Sequence, residues 1–409
     1  MATLAETHGT TLAYGAGLSY GDSPLAVSDH VVHTRPLARW LDADWSTGRI
    51  RVEAGMTLEE ILALAIPRGW FLPVTPGTKY ITIGGAIAND VHGKNHHRRG
   101  TIGCHVPRLA LVRSDRGMFC CSPTEDADWF AATVGGLGLT GIIAWVELQL
   151  VPIGSSRIIG VTQRFGDLDE FFALSDELDP QHECSVSWID CVASGRSAGR
   201  GVYMAGDFAR EGPLAVEGTR KVTVPFTPPL SLVNPLSLRA FNVAYWHKAP
   251  ARRRTAPIGY EPFFYPLDAI RHWNRIYGPR GFQQYQAVIP EGTARDGIGA
   301  MLGAIAASGN GSFLAVLKRC GDITSPGWLS FPRPGTTLAL DFPQDPHRLP
   351  PLFATLDRIV REAGGRLYPA KDAHLSGSDF RDSYPAWEAL ERMRDPVLLS
   401  RFWQRVTHD

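Results

Sequence analysis

The chain has 409 residues, and its 41 Lys plus Arg are balanced by 41 Asp plus Glu, so its formal charge is zero. That balance speaks against a nucleic-acid surface as the main business, and 44% apolar with 20% charged residues is an ordinary globular composition. A chain this long divides into more than one domain, and it holds no apolar run long enough for a transmembrane helix.

The start, MATLAETHGTTLAYGAG, lacks the basic end and apolar core of a secretory signal. TTLAY then leads into a glycine turn. RIRVEAG (49–55) alternates as a strand. TLEEILALAIPRG (57–69) opens with Thr57 and Glu60, a capping box, and carries helical spacing up to Gly69. WFLPVTPG and TIGGAIAND read as strand, turn and glycine-rich segment. LALVRSDRGMFCCSP (109–123) predicts a hairpin turning at Asp115 to Gly117, ADWFAATVGG (127–136) a short helix, and GIIAWVELQLVP (141–152) a long strand. From about 155 to 350 aromatic residues and separate strands dominate. Within that span VTVPFTPPLSLVNPLS (222–237) is rich in proline and reads as a mobile loop. LFATLDRIVREAGGRLY (352–368) is an amphipathic helix capped at Gly364-Gly365 and feeding a strand, and WEALERMRDP (387–396) is a further helix. The six cysteines form no C-x-x-C pair, which points to free thiols in a reducing cytoplasm rather than to a disulfide framework or zinc.

Three glycine-rich turns carry the chemistry. Gly15-Ala16-Gly17-Leu18-Ser19-Tyr20-Gly21-Asp22 has Tyr20 where a dinucleotide fingerprint wants glycine, and no helix pattern follows it. A Rossmann unit therefore fails; a turn whose amides converge on an anion and a plain structural turn both remain. Pro76-Gly77-Thr78 and Thr82 to His97 form the second, with His92, Lys94, His96 and His97 interleaved among small residues. His92 and His96 are four apart, but the surrounding glycines argue against a helix presenting them to a metal, and no metal site is expected. Val134 to Ile143 is the third. Together they suit a cofactor that lies against backbone along its length.

The order PGT, TIGGAIANDVHGKNHH and VGGLGLTGII behind YGAGLSYGD resembles the FAD-binding vanillyl-alcohol-oxidase superfamily, with its PCMH-type cofactor domain. FFYPLDAIRHWNRIYGPRGFQQYQAVIP, LSFPRPG and GGRLYPAKDA extend the likeness over nearly the whole chain, toward a branch that oxidises β-D-ribofuranosyl groups. The resemblance implies an α+β fold, with a two-part FAD-binding domain (1–153 and 366–409) around an inserted substrate or cap domain (154–365) built on an antiparallel sheet. It places FAD against Ala13 to Ser23, and so against Gly15, Ala16, Gly17, Leu18, Ser19, Tyr20, Gly21 and Asp22. Gly77, Thr82, Ile83, Gly84, Gly85, Asn89, Asp90, Val91, His92, Ile143 and Tyr368 complete the lining. Leu18 stands where covalent members often carry histidine, which implies non-covalent FAD. The family has a further strand and helix before the first glycine turn, where this chain has a dozen residues; the expectation is a shortened start or a missing sheet edge.

The implied reaction is oxidation of a 2′-hydroxyl to a ketone, the first half of a ribose-to-arabinose epimerisation completed by a separate NAD(P)H-dependent reductase. Lys371 is the first candidate to meet substrate hydroxyl and flavin, with burial lowering its pKa. His92 and Lys94 would place the hydroxyl or the flavin edge. Tyr265, Gln284, Gln286 and Lys318 would line the sugar or phosphate side, with Trp188 as a wall. Thr337 and Ala339 form the pocket floor, where the branch carries asparagine and cysteine. Plainer readings stand beside these: a satisfied turn histidine at His92, a surface ion pair of Lys371 with Asp372, and a strand in which only one of Gln284 and Gln286 matters. The Arg252-Arg253-Arg254 run reads as a solvated face, or as a contact to a phosphate-bearing substrate or an anionic membrane. Two further functions remain open, an oxidase of a soluble nucleoside or sugar alcohol and a flavin-fold binding subunit without turnover.

Overall fold

The computed structural model describes residues 9–28, 30–218 and 221–408. Of the dozen residues ahead of the first glycine turn, on which a shortfall was expected, residues 1–8 lie outside the described residues. Helices and antiparallel sheets are mixed along the chain. The first third builds a five-stranded antiparallel sheet in the order Trp40–Asp44, Arg49–Glu53, Ile142–Gln149, Arg108–Arg113, Gly117–Cys121. Alternation in RIRVE buries Ile50 and Val52 against helix Leu58–Ala65, whose Leu58, Ile61, Leu62 and Ala65 form one apolar face. That helix begins at the capping box read from the sequence: Thr57 Oγ1 accepts from the Glu60 amide, and the Glu60 carboxylate accepts from the Thr57 amide.

The second sheet has eight antiparallel strands in the order Arg254–Gly259, Arg157–Phe165, Gly201–Phe208, Cys184–Ile189, Ala315–Cys320, Gly335–Pro343, Phe282–Pro290, Arg366–Leu367. One face is covered by helices Leu168–Leu178, Ala294–Ser308 and Leu349–Glu362. Tyr285, Ala287 and Ile289 pack there with Leu338, Leu340 and Leu317 in the larger hydrophobic core. The period of two sends the intervening residues to the other face. Gly364, with φ +68°, ends the helix Leu349–Glu362 and lets the chain re-enter the sheet at Arg366.

Two segments differ from their reading in the sequence. TIGGAIAND is a short helix, Ile83–Ala88, because Thr82 caps it by accepting from the Gly85 amide. The proline-rich stretch 222–237 is not one loop. Val222–Thr223 pairs in parallel with Ile270–Arg271, and a helix starts at Pro235 behind Asn234, whose side chain accepts from the Leu236 and Ser237 amides. Proline at a first helical position loses no hydrogen bond, so a residue that reads as a breaker opens the helix here. Among the described residues no helix is long and apolar enough to cross a membrane.

Candidate functional site

The first glycine turn is clamped from two sides. Gly15 faces the Thr82 side chain so closely that a Cβ would lie 2.4 Å from its Oγ1. Gly21 has φ +68°, and a Cβ there would lie 1.8 Å from the Asp372 carbonyl oxygen. Only glycine allows both approaches. The Tyr20 amide donates to the Ala370 carbonyl at 3.1 Å and the Asp22 amide to that of Asp372 at 3.3 Å, so the turn is stitched to the 369–372 segment. Arg405 locks the seam, donating to both carboxylate oxygens of Asp22 and to Asp372 Oδ2, each at 2.9 Å. The Ala16, Gly17, Leu18 and Ser19 amides between these clamps have no acceptor among the described residues. Around Gly77 a Cβ would meet nothing within 4 Å.

Gln284 and Gln286 share one face of their strand, and the register extends that face across the sheet. Gln284 lies opposite Asp341, Gln286 opposite Ala339, Ala339 opposite Val316, and Val316 opposite Trp188. Lys318 lies opposite Thr337 on the same face. Six of the seven substrate-lining residues expected from the sequence (Trp188, Gln284, Gln286, Lys318, Thr337, Ala339) therefore occupy one surface. Both glutamines engage: Gln284 donates to Asp341 Oδ1, and Gln286 Nε2 is 3.2 Å from His92 Nε2 and 3.3 Å from Thr337 Oγ1.

His92 meets this face from the second glycine turn. It is buried, packed against Phe331 and Tyr368, and its Nδ1 has no hydrogen-bond partner among the described residues. Burial, reinforced by the nearby Lys318, His96 and Lys371, holds its pKa well below the ordinary histidine value. With the Gln286 amide donating to Nε2, the ring proton sits on Nδ1 and is free to donate. Lys318 donates to the Gly93 carbonyl at 2.8 Å, and burial pulls its ammonium down to about 8.

Lys371 lies 4.0 Å above the Tyr20 ring. Its ammonium has no hydrogen-bond acceptor among the described residues, and Asp372 is occupied by Arg405 and His374 rather than by Lys371. The lysine keeps some accessible surface, yet enough protein surrounds it that burial lowers its pKa to about 8, with Asp341 opposing the shift. The same burial raises the Asp341 carboxyl to about 6, against the pull of Gln284 and Lys371. Asp341 is the functional candidate missed in the sequence. The signal was available, since it stands two residues past Ala339 and so on the same strand face.

Other expected residues sit differently. Lys94 turns to the Phe263 carbonyl and ring, and Tyr265 is buried with its hydroxyl 2.7 Å from Thr75 Oγ1; neither touches the Gln286–His92 cluster. Trp188 packs on Tyr245 and donates to the Phe313 carbonyl, at the outer end of the sheet face. Asp90 is buried and accepts from the Gly103 amide and the Ser325 and Ser330 hydroxyls, tying the 325–330 loop to the second turn. The Val91 carbonyl accepts from the Ile102 amide, and Ile143 lies on the strand packed against helix Ile83–Ala88. The Tyr368 hydroxyl donates to the Asn89 carbonyl at 2.8 Å. Among the described residues no group of three or more His, Cys, Asp or Glu side chains could hold a metal.

Residues 1–122 match the family pattern described as FAD binding domain. The chain is 34% identical over 399 residues to the decaprenylphosphoryl-beta-D-ribose oxidase of Mycolicibacterium smegmatis, covering 94% of this chain and 86% of that protein. It is 31% identical to an uncharacterized protein of Streptomyces coelicolor, over 84% of this chain and 96% of the relative. A shorter match, 29% over 137 residues, relates 33% of this chain to 31% of mouse L-gulonolactone oxidase.

Proposed function

The chain belongs to the decaprenylphosphoryl-β-D-ribose oxidase family and is an FAD-dependent oxidoreductase acting on CH–OH groups; from that premise we propose that it oxidises the 2′-hydroxyl of a β-D-ribofuranosyl substrate to a ketone. The observation that carries this reading is the single sheet face on which Gln284, Gln286, Lys318, Thr337 and Asp341 converge, closed by His92 and Lys371 from the two turns that border it.

The residues present fit FAD. The unpartnered amides of Ala16 to Ser19 suit a pyrophosphate, the bare backbone at Gly77 admits a close neighbour, and the buried His92 Nδ1 lacks a partner that a ring carbonyl or substrate oxygen would supply. We assign Gly15 to Asp22, Gly77, Thr82 to Gly85, Asn89 to His92 and Tyr368 to hold it without a covalent bond. When bound, FAD supplies the hydride acceptor.

The protein's part is to orient the sugar and handle the proton. Lys371, with a pKa near 8, is partly neutral at working pH and accepts the hydroxyl proton. Asp341, held by Gln284, opposes through its charge the fall in the lysine's pKa. His92 Nδ1 donates toward the reacting oxygen, while Gln286 and Thr337 keep its ring in place. Lys318 and Lys371 together make the site electropositive, which suits the negative charge that develops on oxidation and a substrate bearing phosphate. We assign the eight-stranded sheet and its helices to a substrate domain inserted between the two parts of the FAD domain. The ketone is then material for a separate reductase that returns a hydride to the opposite face.

The test is anaerobic mixing of the yellow protein with β-ribofuranosides and their 2′-deoxy and arabino counterparts. Bleaching of the flavin by the ribosides alone is expected. Equal bleaching by the 2′-deoxy compounds would defeat the assignment.

A further inference from the structure

The chain as a whole is neutral, but residues 213–281 carry ten Lys or Arg against three Asp or Glu. The same stretch holds the most exposed apolar side chains: Leu236 is 80% exposed, Leu230 79%, Phe226 68%, Val222 65% and Leu232 52%. Elsewhere only Met118, among the described large apolar side chains, is more than half exposed. Scattered exposed apolar residues are unremarkable, but a concentration of them marks a surface that meets something.

These residues form one structure. Val222 pairs with Ile270, which is also exposed, and Arg275 donates to the Val224 and Pro225 carbonyls. The Leu232 amide donates to the Ile276 carbonyl, so the 222–232 segment is strapped along 270–278 and runs into helix Pro235–Lys248. That helix is apolar on two sides. Leu238 and Asn242 face the protein, with Tyr245 against Trp188, while Leu236, Ala240 and Val243, spaced i, i+4 and i+7, stand exposed. An exposed stripe of apolar side chains at helical spacing is normally covered. Among the described residues nothing covers this outer stripe.

The surrounding charge identifies the cover. Arg239, Lys248, Arg252, Arg254, Arg271 and Arg280 are all exposed, and none has a carboxylate within ion-pair distance among the described residues. In the Arg252–Arg254 run only Arg253 is paired, with Glu177. Cations flanking apolar side chains are the pattern of an interfacial segment, in which the side chains enter the acyl region and the cations meet phosphate headgroups. The position fits as well. A cavity of about 400 Å³ is lined by Thr227 of the strap and by Asn274, Arg275 and Phe282. Phe282 packs 5.5 Å from Tyr20 and begins the strand that carries Gln284 and Gln286.

We propose that residues 222–248 and 270–272, with the cations around them, dock on an anionic lipid surface and hold the mouth of the sheet face against it. The surface is independent of the assigned reaction, and its test reads binding rather than turnover. The FAD-loaded full chain is floated with phosphatidylcholine vesicles, with and without phosphatidylglycerol. Binding to the anionic vesicles at least about tenfold tighter than to the neutral ones, and release of the protein at about 0.5 M salt, are expected.

A Val222→Ser, Leu230→Ser, Leu236→Ser variant should lose binding to both kinds of vesicle. Arg252→Ser with Arg254→Ser should narrow the preference for anionic ones. The flavin spectrum verifies that each variant is folded. The proposal is overturned if wild type ignores vesicles, binds both kinds equally, or keeps its affinity in the triple-serine variant. It is also overturned if the triple-serine change dissolves a protein dimer while vesicles are ignored, because the cover would then be a second copy of the chain. Flavin bleaching by a soluble riboside on the same samples separates the two ideas: lost bleaching with intact docking defeats only the reaction.

Discussion

Replacing Lys371 by methionine should abolish turnover and stabilise the fold. The lysine's pKa falls from 10.5 to about 8 on folding, and burial is the cause. A depressed lysine pKa means the folded state disfavours the charged form. The penalty is complete below pH 8 and fades as pH rises toward 10.5. A shift of this size corresponds to about 3 kcal/mol at neutral pH. Methionine keeps the length and the packing while removing the charge. It forfeits the contact with the Tyr20 ring, worth about 1 kcal/mol, so a net gain of about 2 kcal/mol remains. Asp341 loses its nearby cation in the variant, and its carboxyl, already raised to about 6, climbs further and takes a proton instead.

Two assays read the two effects. The anaerobic rate of flavin bleaching should fall by about 10²- to 10⁴-fold in Lys371→Met, the usual contribution of a general base. The midpoint of thermal flavin release should rise by a few degrees. Lys371→Arg sharpens the test: it keeps the charge and cannot give up its proton, so its rate should fall as far without the gain in stability. In wild type the rate should climb with pH through about 8 and then level. Bleaching by Lys371→Met within about threefold of wild type would refute the role in proton transfer. A lower melting midpoint together with a lower rate would refute the burial argument and make Lys371 a structural residue.

Asp341→Asn removes the one charge that holds the Lys371 pKa up, so the rising limb of the rate profile should move below pH 8; a limb that stays in place would separate the two groups. Gly21→Ala forces a Cβ into the Asp372 carbonyl at positive φ. The clasp should open at a cost of about 2 kcal/mol or more, and titration should show flavin affinity lowered at least about tenfold. His374 sits between Asp357 and Asp372, and its pKa rises from 6.5 to about 9, so its stabilising share is complete below pH 6.5 and lost as pH rises through 9. His374→Gln should therefore melt earlier than wild type at pH 6, by about 3 kcal/mol in free energy, and the gap should close by pH 9.5; a gap independent of pH would assign the loss to packing.

Much of this was legible because it is local. The capping box at Thr57, the hairpin at Asp115 to Gly117 and the C-cap at Gly364 are set by residues a few positions apart, and the chain reports them directly. Gln284, Gln286, Thr337 and Ala339 were marked by the resemblance alone; residues two apart share a strand face, so the reading in which only one glutamine matters overlooked the period that groups them. What stayed hidden depends on distant partners. Nothing near Asp22 announces Arg405, and nothing near Asp90 announces Ser325 or Ser330. The helix at Pro235 was obscured by its first residue and by the prolines ahead of it, since a residue that ends helices also starts them.

The site's electrostatics explain why its parts come from separated stretches. Lys318, Lys371 and His92 each depart from their ordinary pKa because burial disfavours their charged forms, and the two lysines press further on the histidine. A single loop could not hold them so. Three like groups within one flexible segment would move apart into water, whereas a strand, a turn stitched to the 369–372 segment and a histidine wedged between Phe331 and Tyr368 keep them together. The clasp of Arg405 on Asp22 and Asp372 secures the turn next to Lys371. The fold's stability is thus spent on holding two buried lysines beside a neutral histidine, and a ligand that brings negative charge to that surface relieves the penalty.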